Sequence, residues 1–265
     1  MIRILTFIAC LAGSAVQAET MKLAVTTSFH NSGLSDVLLP EILQDTGLEV
    51  QLLVVGTGQA LRLGAAGDVD AILVHSRTAE DAFVANGYAP HRRDIMYNDF
   101  VFIGPQSDPA TIKSAQDARE ALQRLHSAKS DFVSRGDDSG THKKERALWA
   151  AAALDPANFA GWYKEVGAGM GASLNTASGL NAYILADRAS WLNFANKGSL
   201  ELLFAGDPAL FNQYGYLPVS QARHPHVNAN ASAKLEEWLT SARAETLING
   251  YKIAGEPLFV FNAER

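Results

Sequence analysis

Cysteine is almost absent from this 265-residue chain: Cys10 is the only one, and it lies in the first apolar stretch. Neither a disulfide framework nor a thiolate metal site is therefore available to the body of the protein. No apolar run reaches the roughly 20 residues that a membrane-spanning helix needs. Positive charge is also scarce, with 22 Lys and Arg against 28 Asp and Glu. A chain of that balance lacks the basic face of a general nucleic-acid binder. Any anion it holds must be captured by local geometry against the net field. There are no blocks of like charge and no low-complexity tracts to suggest disorder. His224 and His226 flank Pro225 without a third ligand at metal spacing, so no metal site is expected.

The N-terminus has the order of an export leader. Arg3 supplies the positive region, Ile4 to Ala12 the apolar region, and Val16-Gln17-Ala18 a small-residue cleavage site before Glu19. Residues 1–18 are expected to be removed on export to the periplasm, taking Arg3 and Cys10 with them. A lipid anchor on Cys10 is the lesser alternative, because few apolar residues precede it.

From Met21 onward, apolar runs and helical spacings alternate. Strands are expected at Met21 to Thr27, Leu48 to Val55 and Val69 to Val74, with helices between them at Gly33 to Asp45 and Ala60 to Ala65. Pro40 should kink or divide the first of these helices. This order in so short a span marks a parallel sheet with crossover helices, so the class is α/β. Asp94 to Gly104 reads as a longer strand and Ile112 to Ala128 as one helix. Thr141 to Leu154 reads as another helix, and Ser173 or Thr176 to Leu185 as a third. Leu200 to Phe204 and Tyr214 to Val219 are extended, and Ala229 to Ile248 forms a long amphipathic helix.

Three turns carry the candidate chemistry. Ser134-Arg135-Gly136-Asp137-Asp138-Ser139-Gly140-Thr141-His142 puts hydroxyls, one guanidinium and free backbone N–H groups at a helix start. Thr26-Thr27-Ser28 and Gly56-Thr57-Gly58 repeat the theme at the carboxyl ends of two strands, the edge where open α/β sheets place ligands. Taken alone, the first segment is equally an ordinary N-cap; three such turns around one cleft would surround a tetrahedral anion with donors. One of Asp137 and Asp138 is expected to orient Arg135. His75, ending a strand, reads as either a ligand donor or a satisfied structural histidine. No G-x-S-x-G elbow, nucleotide phosphate loop or paired carboxylates support an enzyme.

In this order the motifs resemble the periplasmic tungstate-binding proteins of tungstate ABC importers, the TupA-like family. The residues that carry the likeness include Thr26-Thr27-Ser28, Val55-Gly56-Thr57-Gly58-Gln59-Ala60-Leu61, Gly67-Asp68-Val69-Asp70, Leu73-Val74-His75 and Met96-Tyr97-Asn98-Asp99-Phe100-Val101. Ser134 to His142, Trp162-Tyr163 and Gly169-Met170-Gly171 complete it. The resemblance implies a type II periplasmic-binding-protein fold, with two α/β lobes, a hinge of two crossings and the ligand cleft between the lobes. Residues 19–103 and 216–265 would form lobe I, and 104–215 lobe II. It implies an oxyanion held by Thr26, Thr27, Ser28, Thr57, Arg135, Ser139, Gly140 and Thr141, with no cofactor and no metal other than tungsten within the oxyanion. The implied partners are tungstate or molybdate, an ABC permease and its ATPase, and the receptor would be a monomer. The sequence departs from the family pattern after Ser28 and at Ala172-Ser173-Leu174. The rival readings are a molybdate, sulfate or phosphate receptor of the same fold and, from another class, an exported enzyme acting on a phosphorylated small molecule.

Overall fold

The computed structural model describes residues 19–137 and 139–264. The expected leader and Asp138 lie outside the described residues.

The chain opens with β1 (Glu19–Thr26), a one-turn helix α1 (Thr27–Asn31) and α2 (Leu34–Thr46). Next come β2 (Leu48–Val55), α3 (Thr57–Ala66), β3 (Ala71–Val74) and α4 (Arg77–Ala85). β1 pairs in parallel with β2 on one side and β3 on the other. This is the crossover sheet that the alternation predicts. α2 is not divided at Pro40. The ring removes one backbone donor, but Leu34, Leu38 and Ile42 on the buried face hold the helix to the sheet.

A 13-residue strand, β4 (Arg93–Pro105), then crosses the molecule. After it come α5 (Ala118–Ala128), β5 (Phe132–Ser134), α6 (Gly140–Ala151), β6 (Tyr163–Glu165), α7 (Met170–Leu180), β7 (Tyr183–Asp187), α8 (Arg188–Asn193) and β8 (Leu200–Phe204). β9 (Phe211–Pro218), α9 (Ala229–Leu239), α10 (Ala242–Gly250) and the short strands β10 (Lys252–Ile253), β11 (Glu256–Pro257) and β12 (Val260–Phe261) finish the chain.

The structure corrects three helix expectations. The one expected over Ile112 to Ala128 is a 3-10 turn at Ile112–Ser114 followed by α5, because the Asp117 side chain accepts from the Glu120 N–H and restarts the helix. The long C-terminal helix is likewise two, because α9 stops at Leu239 and the Ser241 side chain, accepting from the Ala244 N–H, caps α10 as a new start. Most consequentially, the helix expected to reach Leu185 ends at Leu180. Asn181 takes a left-handed conformation at its C-terminus, and the following residues form β7.

Two α/β lobes share β4. Its first half, Arg93 to Asp99, pairs antiparallel with β9, and Met96 and Tyr97 pair with β12. From Phe100 onward its partners are β7 and β8. β9 returns to the first sheet from Phe211, opposite Asp99. The strands therefore change sheets between Asp99 and Phe100 and just before Phe211, whereas the expected boundaries at 104 and 216 fall inside β4 and β9. Both sheets are buried on both faces. In the first, Leu23 and Val25 face the α9 side with Leu235 and Trp238, while Ala24 and Ile72 face Ala60 and Phe83. In the second, Phe102, Phe132 and Tyr183 pack on Trp149, and Val101, Ile103 and Ile184 on Leu174.

Candidate oxyanion site

Register brings the first two candidate turns together. Thr26 is the partner of Val55, so the α1 turn and the start of α3 are neighbours on one sheet edge. Val25 is the partner of Leu73, which brings the end of β3 and His75 to the same edge. Thr57 opens α3 with Gly56 extended before it and no side chain capping the helix, so the first backbone donors of α3 are left for the cleft.

The hydroxyls here form a cluster centred on Ser28. Its Oγ lies 3.0 Å from Thr26 Oγ1, 3.0 Å from His75 Nε2 and 3.3 Å from the Tyr214 hydroxyl. Thr26 is buried and accepts from the Phe29 N–H at 3.3 Å, so it caps α1 and stands behind Ser28. Thr27 is exposed at the helix start. Burial holds the His75 imidazole down to about 4, against smaller upward pulls from its own backbone and Asn212. Burial also pushes the Tyr214 phenol up to about 12. Both groups are neutral at physiological pH.

The second lobe supplies the opposite wall. β5 delivers Ser134 and Arg135, and Gly136 then turns the chain at φ +59°. Any side chain there would also strike Glu165, whose Cβ would sit 2.7 Å from the added carbon. Ser139 caps α6, its Oγ accepting from the His142 N–H at 3.2 Å. Gly140 and Thr141 form the first turn of a 12-residue helix, where unpaired N–H groups and the helix dipole favour an anion. A Cβ on Gly140 would lie 3.7 Å from His75 Cε1, so the two walls come close at this point.

Asp137 fulfils the orienting role. Its Oδ2 takes the Arg135 Nη2 donor and its Oδ1 accepts from the Ser139 N–H at 3.2 Å. Burial works to raise its pKa, but the Ser139 and Arg135 hydrogen bonds outweigh that and hold the carboxyl below its ordinary range. Arg135 Nε is buried with no protein partner among the described residues, which leaves that one donor uncommitted.

Of the two departures from the family pattern, Ala172-Ser173-Leu174 is engaged within its own helix, as is Thr176 beside it. Ser173 is fully buried, and its hydroxyl donates to the Ala168 and Gly169 carbonyls at 3.3 and 3.2 Å. Thr176 Oγ1 donates to the Ala172 carbonyl at 3.0 Å. Tyr214 and the His75–Ser28 contact are the parts that sequence reasoning missed. Tyr214 gave no signal beyond extended structure, because its reach to Ser28 depends on β9 lying beside β3.

Residues 13–243 match the model of the PBP superfamily domain. The tungstate-binding protein TupA of Peptoclostridium acidaminophilum is 44% identical over 247 residues, covering 92% of this chain and 86% of that protein. Among solved structures, the tungstate-binding protein TupA from Desulfovibrio alaskensis G20 aligns with a TM-score of 0.90 at 39% identity, covering 93% of this chain and 100% of that one. The tungstate ABC transporter structure from Geobacter sulfurreducens aligns with a TM-score of 0.76 at 45% identity, covering 88% and 99%. Fold and sequence agree: the chain belongs to the PBP superfamily, in the family of the TupA tungstate-binding proteins.

Proposed function

We propose that this protein is a non-enzymatic periplasmic receptor that captures tungstate between its lobes and delivers it to an ABC permease driven by an ATPase. Tungstate is what its relatives' names give as their ligand. The observation that carries the reading is the state of Asp137. Its oxygens accept from Arg135 Nη2 and the Ser139 N–H, so the one described carboxylate of this loop is engaged by the loop's own donors rather than held out as a dedicated acceptor for a ligand's proton. Monohydrogen phosphate needs such an acceptor, whereas tungstate needs donors only.

In this reading Thr27, Ser28 and Thr57 meet the anion from lobe I, with Thr26 supporting Ser28. Arg135, Ser139, Gly140 and Thr141 meet it from lobe II. Residues 19–99 and 211–264 form lobe I and 100–210 lobe II, with hinges at Asp99–Phe100 and Leu210–Phe211. An anion that touches both lobes stabilises the closed state by the contacts that the open state lacks. Residues 1–18 act as the export leader, and the receptor works as a monomer.

A competitive titration of the mature protein, followed by tryptophan fluorescence, tests this with tungstate, molybdate, sulfate and phosphate in one buffer. Saturable tungstate binding that phosphate does not displace is expected. Binding of phosphate alone, or of none of the four, overturns the proposal.

A further inference from the structure

The geometry points to His75 as a positioning residue that decides which way the Ser28 proton faces, and so selects an oxyanion that only accepts hydrogen bonds. This rests on the oxyanion reading above and adds a residue to it.

A serine hydroxyl has one proton and two lone pairs. Ser28 Oγ has three polar neighbours at hydrogen-bond distance: Thr26 Oγ1, His75 Nε2 and the Tyr214 hydroxyl. Thr26 and Tyr214 can each turn a proton toward Ser28 or away from it. His75 cannot, because a neutral imidazole carries its proton on one nitrogen or the other. With the proton on Nε2, His75 fills one Ser28 lone pair and a neighbouring hydroxyl fills the second. The Ser28 proton is then left for the cleft. With the proton on Nδ1 instead, Nε2 takes the Ser28 proton at 3.0 Å. The cleft would then meet only lone pairs, which repel an ionised oxyanion and suit a protonated one.

The ring's surroundings fit this role. It packs against Tyr214 with centroids 4.9 Å apart, and its Cε1 edge faces Gly140 at the start of α6. His75 therefore bonds a lobe I donor and lies next to the start of α6 in lobe II. In the ligand-free cleft burial keeps the imidazole neutral, so there it acts through proton direction rather than charge. The Nε2–H form is the one that turns Ser28 into a donor, and it must prevail over the ring's own backbone and Asn212, whose hydrogen bonds also draw a ring proton.

Two measurements test the inference. Nitrogen-15 NMR of the His75 side chain in tungstate-saturated protein should show Nε2 protonated and Nδ1 bare; the opposite tautomer overturns it. Tungstate titrations of His75→Phe, His75→Gln, Ser28→Ala and the Ser28→Ala/His75→Phe pair form the second. His75→Phe should weaken tungstate at least fivefold and narrow its preference over phosphate. His75→Gln, which restores an N–H donor, should recover much of the loss. In the Ser28→Ala background, His75→Phe should add little. Equal losses in both backgrounds would make His75 a mere wall, and an unchanged His75→Phe variant would sink the inference while leaving the receptor reading intact. Failure of the wild type to bind any of the oxyanions strikes the receptor reading itself.

Discussion

Arg188 grips Asp99 with two parallel bonds, Nε to Oδ1 at 2.7 Å and Nη2 to Oδ2 at 2.5 Å. Asp99 is the last residue of β4 paired with β9, and Arg188 opens α8 from the end of β7. The pair therefore fastens the second lobe to the point where β4 changes sheets. Beside it, Asn212 Nδ2 donates to Asn98 Oδ1 at 2.9 Å, and Lys144 Nζ donates to the Phe211 carbonyl at 3.2 Å. The crossings are thus cross-braced by polar contacts.

Arg188→Met should destabilise the fold by about 2–4 kcal/mol, near the lower part of the range for leaving one member of a buried pair unpartnered. The side chains keep 21% and 11% exposure, which allows water to offset part of the loss. Urea unfolding monitored by circular dichroism measures it. A change below about 0.5 kcal/mol, the scale of an ordinary surface substitution, would show that the brace contributes nothing.

Gly215→Ala should be costly for a different reason. A Cβ at 215 would stand 2.5 Å from Glu80 Oε2 and 2.7 Å from Arg92 Nε, inside a buried ion pair. Glu80 is fully buried, and its other oxygen accepts from the Ser76 N–H, next to His75. Overpacking typically costs about 1–3 kcal/mol, and displacing this pair adds to that. Thermal unfolding should show a clearly lowered midpoint, and a midpoint equal to wild type would mean that β9 can shift to make room.

The parallel strands of the first lobe were legible because β1, β2 and β3 are apolar runs separated by turn residues. The jaw at Ser139–Thr141 was legible because a helix start needs caps and donors whatever its ligand. β7 was not, because Tyr183 to Leu185 continues an apolar spacing that fits helix and buried strand alike. The left-handed Asn181 decides between them, and asparagine is only one of the residues that take that conformation. Likewise the Ser28 cluster depends on β9 lying beside β3, a non-local pairing between residues far apart in the chain. Local pattern reports local structure; who stands beside whom across the sheet has to be seen.

Arg135→Ala should weaken tungstate binding by about 2–4 kcal/mol, the scale for removing one member of a desolvated charge pair. Arg135→Lys should fall between, since an ammonium lacks the planar fork that serves Asp137 and a ligand together. Both effects appear in the titration, while unliganded stability changes less. Equal binding by Arg135→Ala and wild type would remove Arg135 from the site.

Glu145 gives the protein a pH dependence separate from its ligand. It lies on α6, is 2% exposed, and accepts from the Tyr163 hydroxyl at 2.6 Å and from Trp149 Nε1 at 3.3 Å. Burial outweighs these bonds and raises its carboxyl from 4.5 to about 7. The folded state thus holds the proton more tightly than the unfolded chain. The associated stability is fully present below about pH 4.5 and is lost as pH rises through about 7. The shift corresponds to about 3 kcal/mol. Glu145→Gln keeps an acceptor for Tyr163 but cannot ionise. The stability of wild type minus that of the variant should therefore fall with pH across this window and level off above it. Urea unfolding from pH 4.5 to 8.5 measures the difference, and a flat difference would mean that the Glu145 carboxyl titrates alike in the folded and unfolded chain.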